Sequence, residues 1–344
     1  MRGWLVTRDT TSGMCVLARV EIATFFVFLV MPFVLWSRPE LITLATNVLI
    51  LSMLAISFDL CWGYCGIMSF GQALFFGAAG YVVAIVGRDF GFSSIWGSLP
   101  LAILVGLCLS FLFAAVLLLD RMRPTSTFVA LGTLTGSYAA ERLVSGWQYV
   151  GAGNGLSSIR LLHIGQIEMV EGISFYCLAL LVFSVCYFGC RVLVRSQFGL
   201  VLAGIRQNEE KLPFIGYRVQ IYKTIIFLLA GVVAGVAGML FAYHQGFVGP
   251  GNLGPGLSTT AALYCLFGGP GTLIGPVLGT AAVEVAGYFL ADIATIRQIW
   301  PVILGLMLLI IVVFRPNGLL GFVVSDRERI GSYGRGLRKQ APTT

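Results

Sequence analysis

Apolar residues dominate this chain in long blocks, and polar ones are confined to the short intervals between them. Nine stretches read as candidate membrane spans: roughly 20–36, 41–61, 66–87, 97–119, 125–143, 173–194, 221–243, 256–292 and 299–316. About 18–20 consecutive apolar residues suffice to cross some 30 Å of hydrocarbon as a helix. The stretch 256–292 is interrupted by "FGGPGT" (267–272), and its first part is short for a full span, so it predicts a half-span or re-entrant hairpin buried in protein. Counting that hairpin as two passes gives about ten crossings and places both termini on one side. The fold class is therefore all-α, a polytopic bundle forming one transmembrane domain over 1–344, with a tail at 322–344.

One interval departs from the apolar pattern. In "SQFGLVLAGIRQNEEKLPFIGYRVQIYK" (196–223), Phe198, Val201, Leu202 and Ile205 recur at helical spacing, followed by the charged block Arg206, Glu209, Glu210 and Lys211. Pro213 is expected to end this helix. An apolar face beside a charged one suits either docking on a soluble partner or lying in the headgroup region.

Charge sets the orientation. Of the 22 lysines and arginines, ten crossings with both termini inside place seventeen on the inner side and only Arg38, Arg88, Arg142, Arg160 and Arg297 on the outer. An excess of that size marks the cytoplasmic face. The loop 196–220 is then cytoplasmic and 146–172, containing "GAGNGL" (151–156), is external. The net charge of +7 reports this topology and not nucleic acid.

Composition narrows the chemistry. With 58% hydrophobic and 11% charged residues there is no room for a separate soluble domain of ordinary size. No Gly-Lys pair occurs, so a P-loop is excluded. His163 and His244 stand apart from acidic clusters, and Cys61/Cys65 and Cys186/Cys190, spaced four apart, lack completing ligands, so these cysteines read as small apolar packing residues and no metal site is expected. No nucleophile stands beside a base, and an enzyme is not expected.

Polar groups inside apolar stretches are functional candidates. Asp59 lies at the end of the second span, either on a pathway or in the headgroup layer, and Glu284 lies mid-span as a packing or pathway group. The fifth span is rich in Thr and Ser; its hydroxyls either bond back to helix carbonyls or line a polar path. Asp59, Ser69, Gln72, Thr133, Thr135, Thr260 and Glu284 are the candidate pathway residues. Gly71, Gly77, Gly268, Gly269, Gly271 and Gly275 are candidate structural glycines, and Ala73/Gly77, Gly80/Ala84 and Gly231/Gly235 have the spacing of close helix contacts. "GIMSFGQALFFGAAGY" (66–81) and "GTLIGPVLGTAAVEV" (271–285) look alike, a weak sign of the inverted repeats of transporters.

Four blocks, "DLCWGYCGIMSFGQALFFGAAGY" (59–81), "GAGNGL" (151–156), the 196–223 segment and "FGGPGTLIGPVLG" (267–279), resemble in order the signature blocks of membrane permease subunits of ABC importers for branched-chain amino acids, and "RPNGLLG" (315–321) looks like that family's ending. The resemblance implies a coupling helix at 198–216, with Phe198, Arg206, Asn208, Glu209, Glu210 and Gly216 toward an ATPase subunit. It further implies a second permease subunit, two cytoplasmic ATPases that bind ATP, a periplasmic substrate-binding protein and a bacterial inner membrane. One departure touches the substrate: the family commonly has an acidic residue after the Ser of "LS", where "LSTTAALYC" (257–265) has Thr259 and Thr260. Permeases for urea or short amides in the same superfamily carry similar blocks, and an ion-gradient-driven transporter is the rival of another class. The polar block predicts that reversing Glu209 and Glu210 uncouples the importer.

Overall fold

The computed structural model describes residues 16–91, 93–119, 126–157, 159–165 and 167–290, together with 302–307, 309, 318 and 320. Most of the expected span 299–316, most of "RPNGLLG" and all of the tail 322–344 lie outside the described residues. The helices are α1 (Val16–Val34), α2 (Pro39–Asp59), α3 (Gln72–Asp89), α4 (Ile95–Leu117), α5 (Ser126–Gly146), α6 (Ile173–Arg195), α7 (Gln197–Gln207), α8 (Val219–Gln245), α9 (Pro255–Gly268) and α10 (Ile274–Leu290). α1, α2 with the π-turn that follows it, α4, α6 and α8 are long and apolar enough to cross a membrane by themselves.

α2 and α8 form the centre, with 78% and 72% of their spans buried, whereas the spans in α1, α4 and α6 are at most a third buried. An apolar sequence cannot by itself say which helices are inside, because lipid tails are as apolar as leucine. Small residues decide it. On α8 the Gly231 and Gly235 positions abut Gly106 of α4, and Gly80 of α3 lies against the Gly238 carbonyl, so no side chain separates the backbones.

Three expectations need correction. The span expected at 66–87 is helical only from Gln72; residues 66–71 form an irregular segment, preceded by a π-turn at Leu60–Tyr64. The helix in the charged loop stops at Gln207, with Asn208 extended at its end, and Pro213 instead opens a short 3-10 turn, Pro213–Ile215. The coupling helix expected over 198–216 is thus an eleven-residue helix followed by turns. The expected interruption near 267–272 is present: α9 ends at Gly268, α10 begins at Ile274, and Gly269, Gly271 and Leu273 all have positive φ (116°, 79° and 56°).

The loop after α5 folds over one end of the bundle. β1 (Leu156–Ser157) pairs with β4 (Phe247–Val248), which follows α8, and β2 (Leu162–Ile164) pairs with β3 (Ile167–Met169). The loop before α8 lies at its other end. The 27 residues of α8 separate the two by about 40 Å.

Candidate coupling and translocation site

Two backbone breaks meet beside α7. The first is the π-turn and the segment leading to Gly71; the second is the turn between α9 and α10. A Cβ on Gly63 would lie 2.6 Å from the Gly271 nitrogen, so the breaks touch backbone to backbone. Broken helices leave amides and carbonyls without helical partners, and in a membrane each needs one from the protein.

Asp59 supplies the acceptors. It is fully buried within the protein, and its carboxylate accepts hydrogen bonds from the amides of Gly271 (2.6 Å) and Leu273 (3.2 Å) and from the Cys265 thiol (3.3 Å). Its place is therefore the anchor of the second break. Cys265, expected to do no more than pack, also donates into this site.

The other candidates divide. Ser69 accepts from the Gly71 amide (3.2 Å), turning the chain into α3. Gln72, wholly buried, accepts from Ser57 (3.3 Å) and donates to Cys61 (3.4 Å), fastening α3 to α2. Thr133 accepts from the Phe70 amide (3.0 Å) while bonding back to Val129 (2.8 Å), and Ser137 donates to the Phe70 carbonyl (2.9 Å). Thr135 is exposed on another face and bonds back to carbonyls of its own helix. Thr260 likewise bonds back to Gly256 (3.1 Å). The Thr-rich helix α5 therefore presents Thr133 and Ser137 to the first break, and Thr133 and Thr135 do not share one polar face.

Glu284 is held by the Tyr264 hydroxyl and by Asn47 (3.0 Å), joining α10 to α9 and α2. The structural glycines sit at crossings: Gly77 faces the backbone of Asn252, Gly268 faces Gly275, and Gly275 faces Gly269. Gly71 precedes α3, and its position lies against Thr133.

In the charged loop, α7 buries Val201, Leu202, Ala203 and Ile205, while the Phe198 ring packs at a tilt against Tyr222. Gly199 allows the abrupt corner after α6, since a Cβ there would strike the Val194 carbonyl. Glu209 is ion-paired with the buried Lys223 (2.6 Å). Arg206 donates to the Gly63 carbonyl. Asn208, Glu210, Gly216 and the large apolar side chains of Phe214 and Ile215 are exposed at the tip. A pocket of about 240 Å³ opens between this loop, the first break and the start of α5, lined in part by Cys65, Ile67, Arg206, Glu209 and Lys223.

Sequence reading missed several partners. Ser258 of α9 accepts from the Ala73 amide at the start of α3 (3.0 Å), a contact 185 residues apart. Glu21, buried in α1, meets Arg191 and accepts from Tyr187 (2.9 Å). An acidic residue inside the first apolar stretch was the available signal for that cluster.

A family model described as Branched-chain amino acid transport system / permease component matches residues 40–312, spanning α2 through α10 and every contact just described except those of Glu21. The chain belongs to this family. It is 25% identical over 303 residues to the high-affinity branched-chain amino acid transport system permease protein LivM of Salmonella typhimurium, covering 81% of this chain and 69% of the relative, and equally so to LivM of Escherichia coli. It is 29% identical over 254 residues to the autoinducer 2 import system permease protein LsrC of Enterobacter sp., covering 69% of each. No solved structure matches it. Family membership makes the chain a multi-pass membrane permease component of a transport system, and the two breaks lie within its matched core.

Proposed function

We propose that this chain is the transmembrane permease subunit of an ATP-driven importer of the ABC class, carrying branched-chain amino acids across a bacterial inner membrane. It works with a second permease subunit, two cytoplasmic ATPase subunits that bind the ATP, and a periplasmic binding protein that delivers substrate to the face bearing loop 146–172. Both termini are cytoplasmic. The observation that carries this reading is the form of the 196–220 loop: a helix anchored by its buried face, with a tip that exposes Glu210, Phe214 and Ile215 together. Phe214 is 91% exposed, which an isolated loop has no reason to maintain.

The mechanism follows from two-state packing. A partner that changes shape with ATP and grips this tip favours one arrangement of the bundle over the other, and so shifts its population. An amphipathic helix lying on lipid fits less well, because the apolar face of α7 is turned into the bundle. Similarity to permeases named for autoinducer 2 supports a second substrate reading, a different small solute, which competition against leucine uptake separates from the first.

The test is the double variant Glu210→Lys/Phe214→Asp. Co-purification of the ATPase subunits should fall at least tenfold while membrane insertion persists, since opposed charge and lost apolar area at an interface centre cost several kcal/mol. Glu209 is left intact because its reversal would also break the internal pair with Lys223. Wild-type association and leucine uptake in the double variant would refute the docking role.

A further inference from the structure

Arg206 belongs to the loop by sequence and to the membrane breaks by position. It sits in the last turn of α7, and its guanidinium donates to the Gly63 carbonyl of the π-turn. Its Cγ lies 3.4 Å from where a Cβ on Gly66 would be, and its Nη1 lies 3.1 Å from the same point on Gly271. Gly66 and Gly271 have φ of 78° and 79°, so backbone conformation favours glycine at both. The side chain therefore bonds to the first break and lies alongside the second. At the second break Asp59 accepts the Gly271 and Leu273 amides.

We infer that Arg206 is a positioning residue, a latch through which movement of the 196–220 loop reaches both backbone breaks. With the loop as observed, the guanidinium holds the first break against the second. When α7 is displaced, the bond to the Gly63 carbonyl is lost within about an ångström, because hydrogen bonds weaken steeply with distance and angle. The Gly63 and Gly271 backbones then part on the side facing the pocket lined by Cys65, Ile67 and Lys223. Arginine suits this role because its planar fork presents five donors and remains charged.

The inference rests on the proposed importer function, and the experiment separates the two. Proteoliposomes would hold the full complex of permeases, ATPases and binding protein, with radiolabelled leucine as the transported probe. Arg206→Ala is expected to keep ATPase co-purification and ATP hydrolysis within twofold of wild type, while leucine taken up per ATP hydrolysed falls at least tenfold. Arg206→Lys, which can still offer one donor to Gly63, should recover at least a third of the wild-type ratio. A second readout needs no substitution at Arg206: with Cys15, Cys108, Cys177 and Cys186 replaced by alanine, maleimide labelling of Cys65, buried beside the break and read on its own peptide by mass spectrometry, should rise at least fivefold when the assembled complex is trapped with vanadate and ATP. An unchanged uptake ratio in Arg206→Ala, loss of ATPase association in that variant, or Cys65 labelling indifferent to nucleotide would each overturn the latch. A wild-type chain that associates with no ATPase would overturn the importer reading and the latch with it.

Discussion

At the scale of single residues, the same side-chain type does different work according to what backbone it meets. Asp59 and Glu284 are both acids in apolar helices, yet Asp59 receives two main-chain amides across a gap of more than 200 residues, whereas Glu284 is held by the side chains of Asn47 and Tyr264. Removing Asp59 leaves two buried N–H groups without an acceptor, at roughly 1–3 kcal/mol each. Asp59→Ala is therefore expected to destabilise the protein by on the order of 3 kcal/mol, visible as a lower midpoint of thermal unfolding in detergent. Glu284→Gln, which keeps an acceptor for Tyr264, should shift that midpoint far less. Equal shifts in the two variants would show that Asp59 is not the anchor of the second break.

At the scale of elements, the interruption between α9 and α10 is built from conformation and crowding together. Gly269 and Gly271 have positive φ, and Gly268, Gly275 and Gly279 bring the two short helices into backbone contact. A left-handed conformation costs an ordinary residue about 1–2 kcal/mol, and a β-branched one more. Gly269→Val and Gly271→Val should each reduce the yield of monodisperse protein several-fold in size-exclusion chromatography. Gly189→Val on α6, where a Cβ meets nothing within 4 Å, is the matched control and should behave as wild type. Normal yield and transport from both break variants would mean that the turn tolerates a side chain.

At the scale of the whole molecule, α8 sets the distance between the two working faces. The β1–β4 pairing caps one of its ends and the 196–220 loop lies at the other. In a cysteine-free background, a cysteine at position 153 should react with an impermeant maleimide added outside intact cells, and one at position 210 only after permeabilisation. The opposite pattern would reverse the orientation that the seventeen-to-five distribution of basic residues supports.

Much of this was legible in the sequence because it depends on local pattern. Apolar runs gave the helical bundle, glycine and proline marked the interruption at 267–272, and the apolar spacing in 198–205 marked the face that α7 buries. What the chain alone left open is which polar groups meet. Asp59 reaches Gly271, Thr133 reaches Phe70, and Arg206 reaches Gly63 only because distant segments are folded against one another. A backbone amide freed by a broken helix carries no signature in sequence, since every residue but proline has one. Only the tertiary structure shows which amides are orphaned and which side chains satisfy them, and that is why the sequence named Asp59 and Thr133 as candidates for a pathway while the fold uses them to hold the breaks in place.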